Sequence, residues 1–148
     1  MDAKVKHRWI NALRGGKYKQ AQKALCVVNP KNEEKGFCCL GVLCDLYRTS
    51  KANTDKTKWK PLFLSNPARQ GASFGGEIGI LPEFVKDWAG LDETDPSITI
   101  SDSIWKKFQK KFQRLEEQRE PGETYGFADA NDEGFTFKQI ADMIEEQL

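Results

Sequence analysis

Apolar positions recur every three to four residues in five stretches of the chain, and each stretch predicts a helix. Val5, Trp9, Ile10 and Leu13 make one stripe over residues 3–14, with Lys4, Lys6, Arg8 and Arg14 on the polar positions and Gly15-Gly16 as the stop. Leu40, Leu43, Cys44 and Tyr47 repeat the spacing over 39–48, where Val42 and Leu46 widen the apolar face and Asp45 is the lone acid. A helix apolar nearly all round belongs at the centre of a domain. Gly41 in that helix costs about 1 kcal/mol relative to Ala, so a second element is expected to pack closely on it. Leu81, Phe84, Val85 and Trp88 mark a short helix that opens at Pro82 and closes at Gly90. Trp105, Phe108, Phe112 and Leu115 mark a basic helix over 103–119, capped by Ser101 or Asp102 and ended by Pro121-Gly122. The last helix opens on a Thr136–Gln139 capping box with Phe135 and Ile140 as a hydrophobic staple, and Phe137, Ile140, Ala141, Ile144 and Leu148 face the core.

Shorter apolar runs read as strands. Ala24–Val28 is one, with a return strand from Lys35 towards Cys39 after the turn signal Asn29-Pro30-Lys31-Asn32. Glu77–Leu81 and Pro96–Ile100 are two more. Residues 49–76, with Asn53-Thr54-Asp55, Asn66-Pro67 and Gly75-Gly76, read as a loop-rich excursion docked by Trp59 and Leu62-Phe63-Leu64. The whole chain, 1–148, therefore reads as a single globular α+β domain: about five helices, the buried one near 39–48, around a small antiparallel sheet.

Composition narrows the class. With 39% hydrophobic and 11% aromatic residues, the chain can bury a core and is no disordered segment. Its longest apolar run, Phe37–Cys44, is too short to span a bilayer, so no membrane partner is expected. No apolar signal region follows Met1, which makes the cytoplasm the expected compartment. Cys26, Cys38, Cys39 and Cys44 cluster inside apolar sequence and read as free thiols. As a zinc set, C-x11-C-C-x4-C lacks the usual C-x2-C knuckle. The net charge of +1 hides an uneven distribution. Residues 1–23 carry seven Lys/Arg and one acid, and residues 116–148 carry ten acids and two bases. Such poles either steer a partner or neutralise each other within the molecule.

Four kinds of chemistry are then open. Cys38 or Cys39 at a strand-to-helix junction is a candidate nucleophile, because a helix N-terminus lowers a thiol pKa. The one imidazole, His7, lies upstream on a basic helix and is expected on the surface. Asp129-Ala130-Asn131-Asp132-Glu133-Gly134 imitates the opening of a calcium loop, but Ile140 stands where a bidentate Glu is needed, so a polar turn is the competing reading. Arg14, Lys17, Tyr18, Lys19 and Gln20, around Gly15-Gly16, offer cations, a flexible backbone and one aromatic ring to a phosphate, and Lys106, Lys107, Lys110, Lys111 and Arg114 of the basic helix can add contacts. Protein binding is the fourth. No general-base constellation, metal set or cofactor loop is complete, so no cofactor is expected.

Four blocks in this order resemble a family of small uncharacterised proteins of bacteriophage and prophage genomes. They are Trp9–Gln20, Phe37–Leu46, Leu81-Pro82 with Trp88–Leu91, and Asn131-Asp132 followed by Phe135, Phe137, Ile140-Ala141-Asp142 and Ile144-Glu145. The Phe37-Cys38-Cys39-Leu40-Gly41-Val42 run is the specific part. The basic helix at 103–119 departs from the family pattern as an expansion. The resemblance implies a phage source and a fold kinship and gives no mechanism; Asn131 and Asp132 are a further candidate pair of site residues. The expected function is that of a phage-encoded accessory protein that binds a host protein in the host cytoplasm, in host takeover or counter-defence, without catalysis. The alternatives are a nucleotide or nucleic-acid binding module built on Arg14–Gln20 and the basic helix, and a cysteine-dependent enzyme.

Overall fold

The computed structural model describes residues 1–62 and 70–148. Helix α1 (Ala3–Arg14) leads through β1 (Lys19–Gln20), β2 (Cys26–Val28) and β3 (Lys35–Phe37) to the central helix α2 (Cys39–Arg48). Then follow β4 (Trp59–Leu62), β5 (Gln70–Phe74), α3 (Glu83–Ala89), β6 (Ser97–Thr99), α4 (Asp102–Phe112), β7 (Thr124–Gly126), α5 (Phe127–Asp132) and α6 (Phe137–Gln147). The class is α+β, as the sequence predicts, with six helices among the described residues. A five-stranded sheet runs in the order β1-β3-β2-β5-β4, antiparallel except for the β1–β3 pair. β6 and β7 form a separate antiparallel ribbon.

The core is organised around α2, whose residues 39–45 are all buried. Trp9 of α1 is fully buried against it and donates its indole N–H to the Cys39 carbonyl at 2.9 Å. The close approach expected at Gly41 is present: the Leu25 backbone, entering β2, lies on it. α6 opens with the capping box Thr136–Gln139, and Phe135 and Ile140 are both fully buried at its start. α3 closes at Gly90, which sits in the left-handed region at φ 63°. Pro82 is its N-cap rather than its first residue.

Four expectations about local structure change. Residues 49–76 contain β4 and β5, and β5 is a buried strand beside β2, with Ala72 opposite Cys26. Its small residues Gly71, Ala72 and Ser73 carry no alternation to read. The docking expected of Phe63 and Leu64 and the Asn66-Pro67 turn lie outside the described residues. The strand expected at 77–81 is a turn that forms one isolated bridge, Glu77 to Phe74. The basic helix stops at Phe112, not at 119. Beyond Phe112 only Leu115 can dock, and Glu116 and Glu117 would sit at the negative end of the helix dipole. Finally, the expected polar turn is confined to Glu133 and Gly134, and residues 129–132 belong to a short helix, α5. Phe127, Ala130 and Asn131 give it a buried face, and Gly134 at φ 84° ends it.

Candidate functional site

The four thiols come first because their chemistry is the easiest to decide. Cys26, Cys38, Cys39 and Cys44 are free and buried. Cys38 is the N-cap of α2, and its sulfur accepts from the Gly41 N–H at 3.3 Å. Burial nevertheless outweighs that stabilisation, and the Cys38 thiol is pushed up to about 12. Burial raises Cys26 to about 11 and holds Cys39 and Cys44 well above their ordinary value. Cys38 and Cys39 are thus both buried, with thiols held above their ordinary value, and this environment disfavours the thiolate that a nucleophile needs. His7 stands on the exposed face of α1, where Asn11 Nδ2 donates to its Nε2 at 2.9 Å. Native protein treated with iodoacetamide is expected to keep all four thiols unlabelled until denaturant is added; labelling of Cys38 or Cys39 in the folded state would reinstate a nucleophile. Among the described residues, no group of three or more His, Cys, Asp or Glu side chains is placed to hold a metal.

Half of the cations singled out from the sequence are committed within the fold. Arg14 binds Asp142 at 2.6 Å and Glu145 at 2.7 Å, joining α1 to α6. Its two acceptors raise the guanidinium pKa further. The same bond holds the Glu145 carboxyl below the usual range. Lys19 pairs with Glu34 at 2.8 Å and Lys107 with Asp142 at 2.7 Å. Lys111 donates to Gln139 Oε1 and lies over the Phe135 ring, 4.5 Å from its centroid. Lys17, Lys106, Lys110 and Arg114 are exposed. The two sets do not share a groove. Lys19 lines one with Val27, Val28 and Asn29, whereas Lys106, Lys107, Lys110 and Lys111 line another. The basic start and acidic end thus neutralise each other in part across α1 and α6.

Gln20, Asn131 and Asp132 turn out to be a latch. Gln20 Nε2 donates to Asn131 Oδ1 (3.0 Å) and to the Phe135 carbonyl (2.8 Å), and its Oε1 accepts from the Phe137 N–H (3.0 Å). The fully buried Asn131 donates to the Ala21 carbonyl at 2.8 Å, and Asp132 accepts from the Lys23 N–H at 2.7 Å. Glu133 accepts from the Tyr125 hydroxyl. Of the oxygens that imitate a calcium loop, those of Asn131 and Glu133 are turned to these internal donors.

Tyr18 leads to a site the sequence reading missed. Its hydroxyl donates to Asp45 Oδ2 at 2.9 Å, while Arg48 Nε (2.6 Å) and Trp59 Nε1 (3.1 Å) donate to Asp45 Oδ1. Burial pushes the Asp45 carboxyl up, but the bonds from Arg48, Trp59 and Tyr18 prevail and its pKa lies below the usual value. Burial and the neighbouring Asp45 charge push Tyr18 up to about 12. Trp59 packs edge-on to Phe37 (centroids 5.6 Å) and tilted on Phe74 (4.9 Å). Lys35, Phe37, Asp45, Arg48, Lys58 and Trp59 line a cleft of about 380 Å³. The available signal was Asp45 itself, because one acid in an apolar helix must be met by donors.

Three of the four landmark blocks thus meet: Trp9–Gln20 joins Phe37–Leu46 through Tyr18 and Asp45, and joins the block from Asn131 to Glu145 through Arg14 and Gln20. A family model described as a domain of unknown function (DUF8296) matches residues 1–148. The chain belongs to that family. No curated protein and no solved structure matches it. For this member of the DUF8296 family, no helix among the described residues is long and apolar enough to cross a membrane.

Proposed function

We propose that the chain is a phage-encoded accessory protein that binds a host protein in the bacterial cytoplasm, through a projection made by Ile78, Ile80 and Phe84. The phage source rests on the sequence resemblance carried by the landmark blocks. The binding mode rests on one observation. Ile78, Ile80 and Phe84 are the large hydrophobic side chains left exposed among the described residues, at 44%, 40% and 37%, and they fall within seven consecutive positions. Apolar side chains gathered in this way are a common mark of a protein contact.

The projection is held rigidly. The Ile78 carbonyl accepts from the Leu25 N–H at 2.6 Å, and the Leu81 N–H donates to Thr94 at 2.9 Å. Phe84 is rooted in the core against Tyr47 (5.2 Å) and Phe74 (6.2 Å). A preformed contact loses little conformational freedom on binding. Between residues 77 and 95 stand Glu77, Glu83, Asp87, Asp92, Glu93 and Asp95 against Lys86 alone. The fitting partner surface is an apolar pocket with a basic rim.

The test pairs Ile78→Asp/Ile80→Asp with Lys106→Glu/Lys110→Glu as a charge control. A central apolar anchor contributes about 2 kcal/mol or more, so the Asp pair is expected to weaken the cross-linked host complex on the order of 30-fold. Both sites are exposed, so thermal stability should stay within about 0.5 kcal/mol of wild type. A complex retained by the Asp pair, or lost only in the charge control, would overturn this reading.

A further inference from the structure

The Trp59 cleft has a composition that protein binding through Ile78 and Ile80 does not explain. We propose that it binds a nucleotide unit, with the base against Trp59 and the phosphate on Lys35, Arg48 and Lys58. Each part of that ligand meets a feature already in place. Trp59 is half-buried, and its position is fixed by the hydrogen bond to Asp45 and by Phe37 and Phe74. An immobilised aromatic ring opening on a cleft is a stacking platform that any base can use. Three cations surround it. Lys35 and Lys58 are exposed and form no ion pair among the described residues. Arg48 gives only its Nε to Asp45, and its terminal nitrogens make no ion pair among the described residues.

Asp45 does not spoil the site. Its carboxylate is already occupied by Tyr18, Arg48 and Trp59, so it acts as the floor that orients both the ring and the guanidinium. Three cations against this one carboxylate leave the lining with an excess of positive charge. A cleft of about 380 Å³ falls at the small end of ligand sites, the size of one nucleotide rather than a folded partner. A simple dicarboxylate or inorganic anion would use the cations and leave the ring idle. The cleft is also distinct from the groove on α4, where the cations line a helix and Lys107 and Lys111 are already engaged.

The experiment follows the indole N–H resonances of isotopically labelled protein, with the Trp59 signal assigned by its loss in Trp59→Phe. The probes are adenosine monophosphate, a single-stranded tetranucleotide and inorganic phosphate, all at low salt. The Trp59 signal is expected to move saturably with at least one of the first two, and to move back as salt rises. Lys35→Glu/Lys58→Glu should weaken binding on the order of tenfold, while Lys106→Glu/Lys110→Glu leaves it unchanged. A melting curve like that of wild type shows that the first pair still folds. Equal affinity for the two nucleotide probes identifies a free nucleotide as the ligand; tighter binding of the tetranucleotide identifies single-stranded nucleic acid. The proposal is overturned by an unmoved Trp59 signal, by inorganic phosphate competing as well as the nucleotides, or by an equal loss in the Lys106/Lys110 pair. Ile78→Asp/Ile80→Asp should bind nucleotide normally, so either reading can fail alone.

Discussion

Replacing Gly41 by Ala is expected to destabilise the protein by about 3 kcal/mol or more, against the roughly 1 kcal/mol gain that helix propensity alone would give. A Cβ at this position would stand 1.8 Å from the Leu25 carbonyl oxygen and 2.7 Å from its carbon. Those are backbone atoms, not the end of a side chain that can swing away. Leu25 is also fixed from both sides, its carbonyl accepting from the Cys38 N–H (3.2 Å) and its N–H donating to Ile78 (2.6 Å). Relief of the clash therefore requires α2 to move off the sheet or these bonds to break. Urea denaturation should give a lower midpoint with an unchanged slope. Gly79→Ala is the control, because nothing lies within 4 Å of its added Cβ. If the two variants unfold at the same urea concentration, the close approach of Leu25 does not exist in solution.

Asn131→Ala is the second large effect, about 3 kcal/mol. The side chain is fully buried and bonded at both ends, to Ala21 and to Gln20. Its removal strands the Ala21 carbonyl and takes one acceptor from Gln20, and each buried group left without its partner costs about 1–3 kcal/mol. Asn131→Asp should be no better. It keeps the shape but sets an acceptor against the Ala21 carbonyl and adds a buried charge. Asp132→Ala, at an exposed position, should cost only about 1 kcal/mol. Thermal melts of the three variants check the order; an Asn131→Ala protein that melts with wild type would show the latch to be idle.

Much of the fold was legible because its signals are local. The stripe of α1, the glycine in α2 and the capping box of α6 each act within a few residues, and each is found where the pattern places it. β5 was not legible, because Gly71-Ala72-Ser73 has no periodicity and becomes a strand only through its neighbours β2 and β4. The end of α4 was misread because lysines and glutamates alike are good helix formers, while the dipole and the run of polar residues after Phe112, broken by Leu115, decide the stop. The candidate sites divide in the same way. Cations and amides in Arg14–Gln20 look like ligand groups in one dimension, and only the tertiary fold brings Asp142, Glu145 and Asn131 to them. Trp59 was legible as a docked aromatic, but its juxtaposition with Lys35 and Arg48 depends on how the consecutive elements β3, α2 and β4 pack on one another, which no local pattern states.

The latch also governs when the chain can become a folded molecule. Gln20, Ala21 and Lys23 meet Asn131 and Asp132 across more than a hundred residues. Closing a loop of that length costs roughly 4 kcal/mol of chain entropy beyond a constant, and nothing nearer in sequence substitutes for these partners. During synthesis, Trp9 can meet Cys39 and β1 can meet β3, but the side chains of Arg14 and Gln20 wait for their partners until the ribosome has released residues 131–145. Lys19 can meet Glu34 early, whereas Arg14 waits for Asp142 and Glu145, the acids that arrive last.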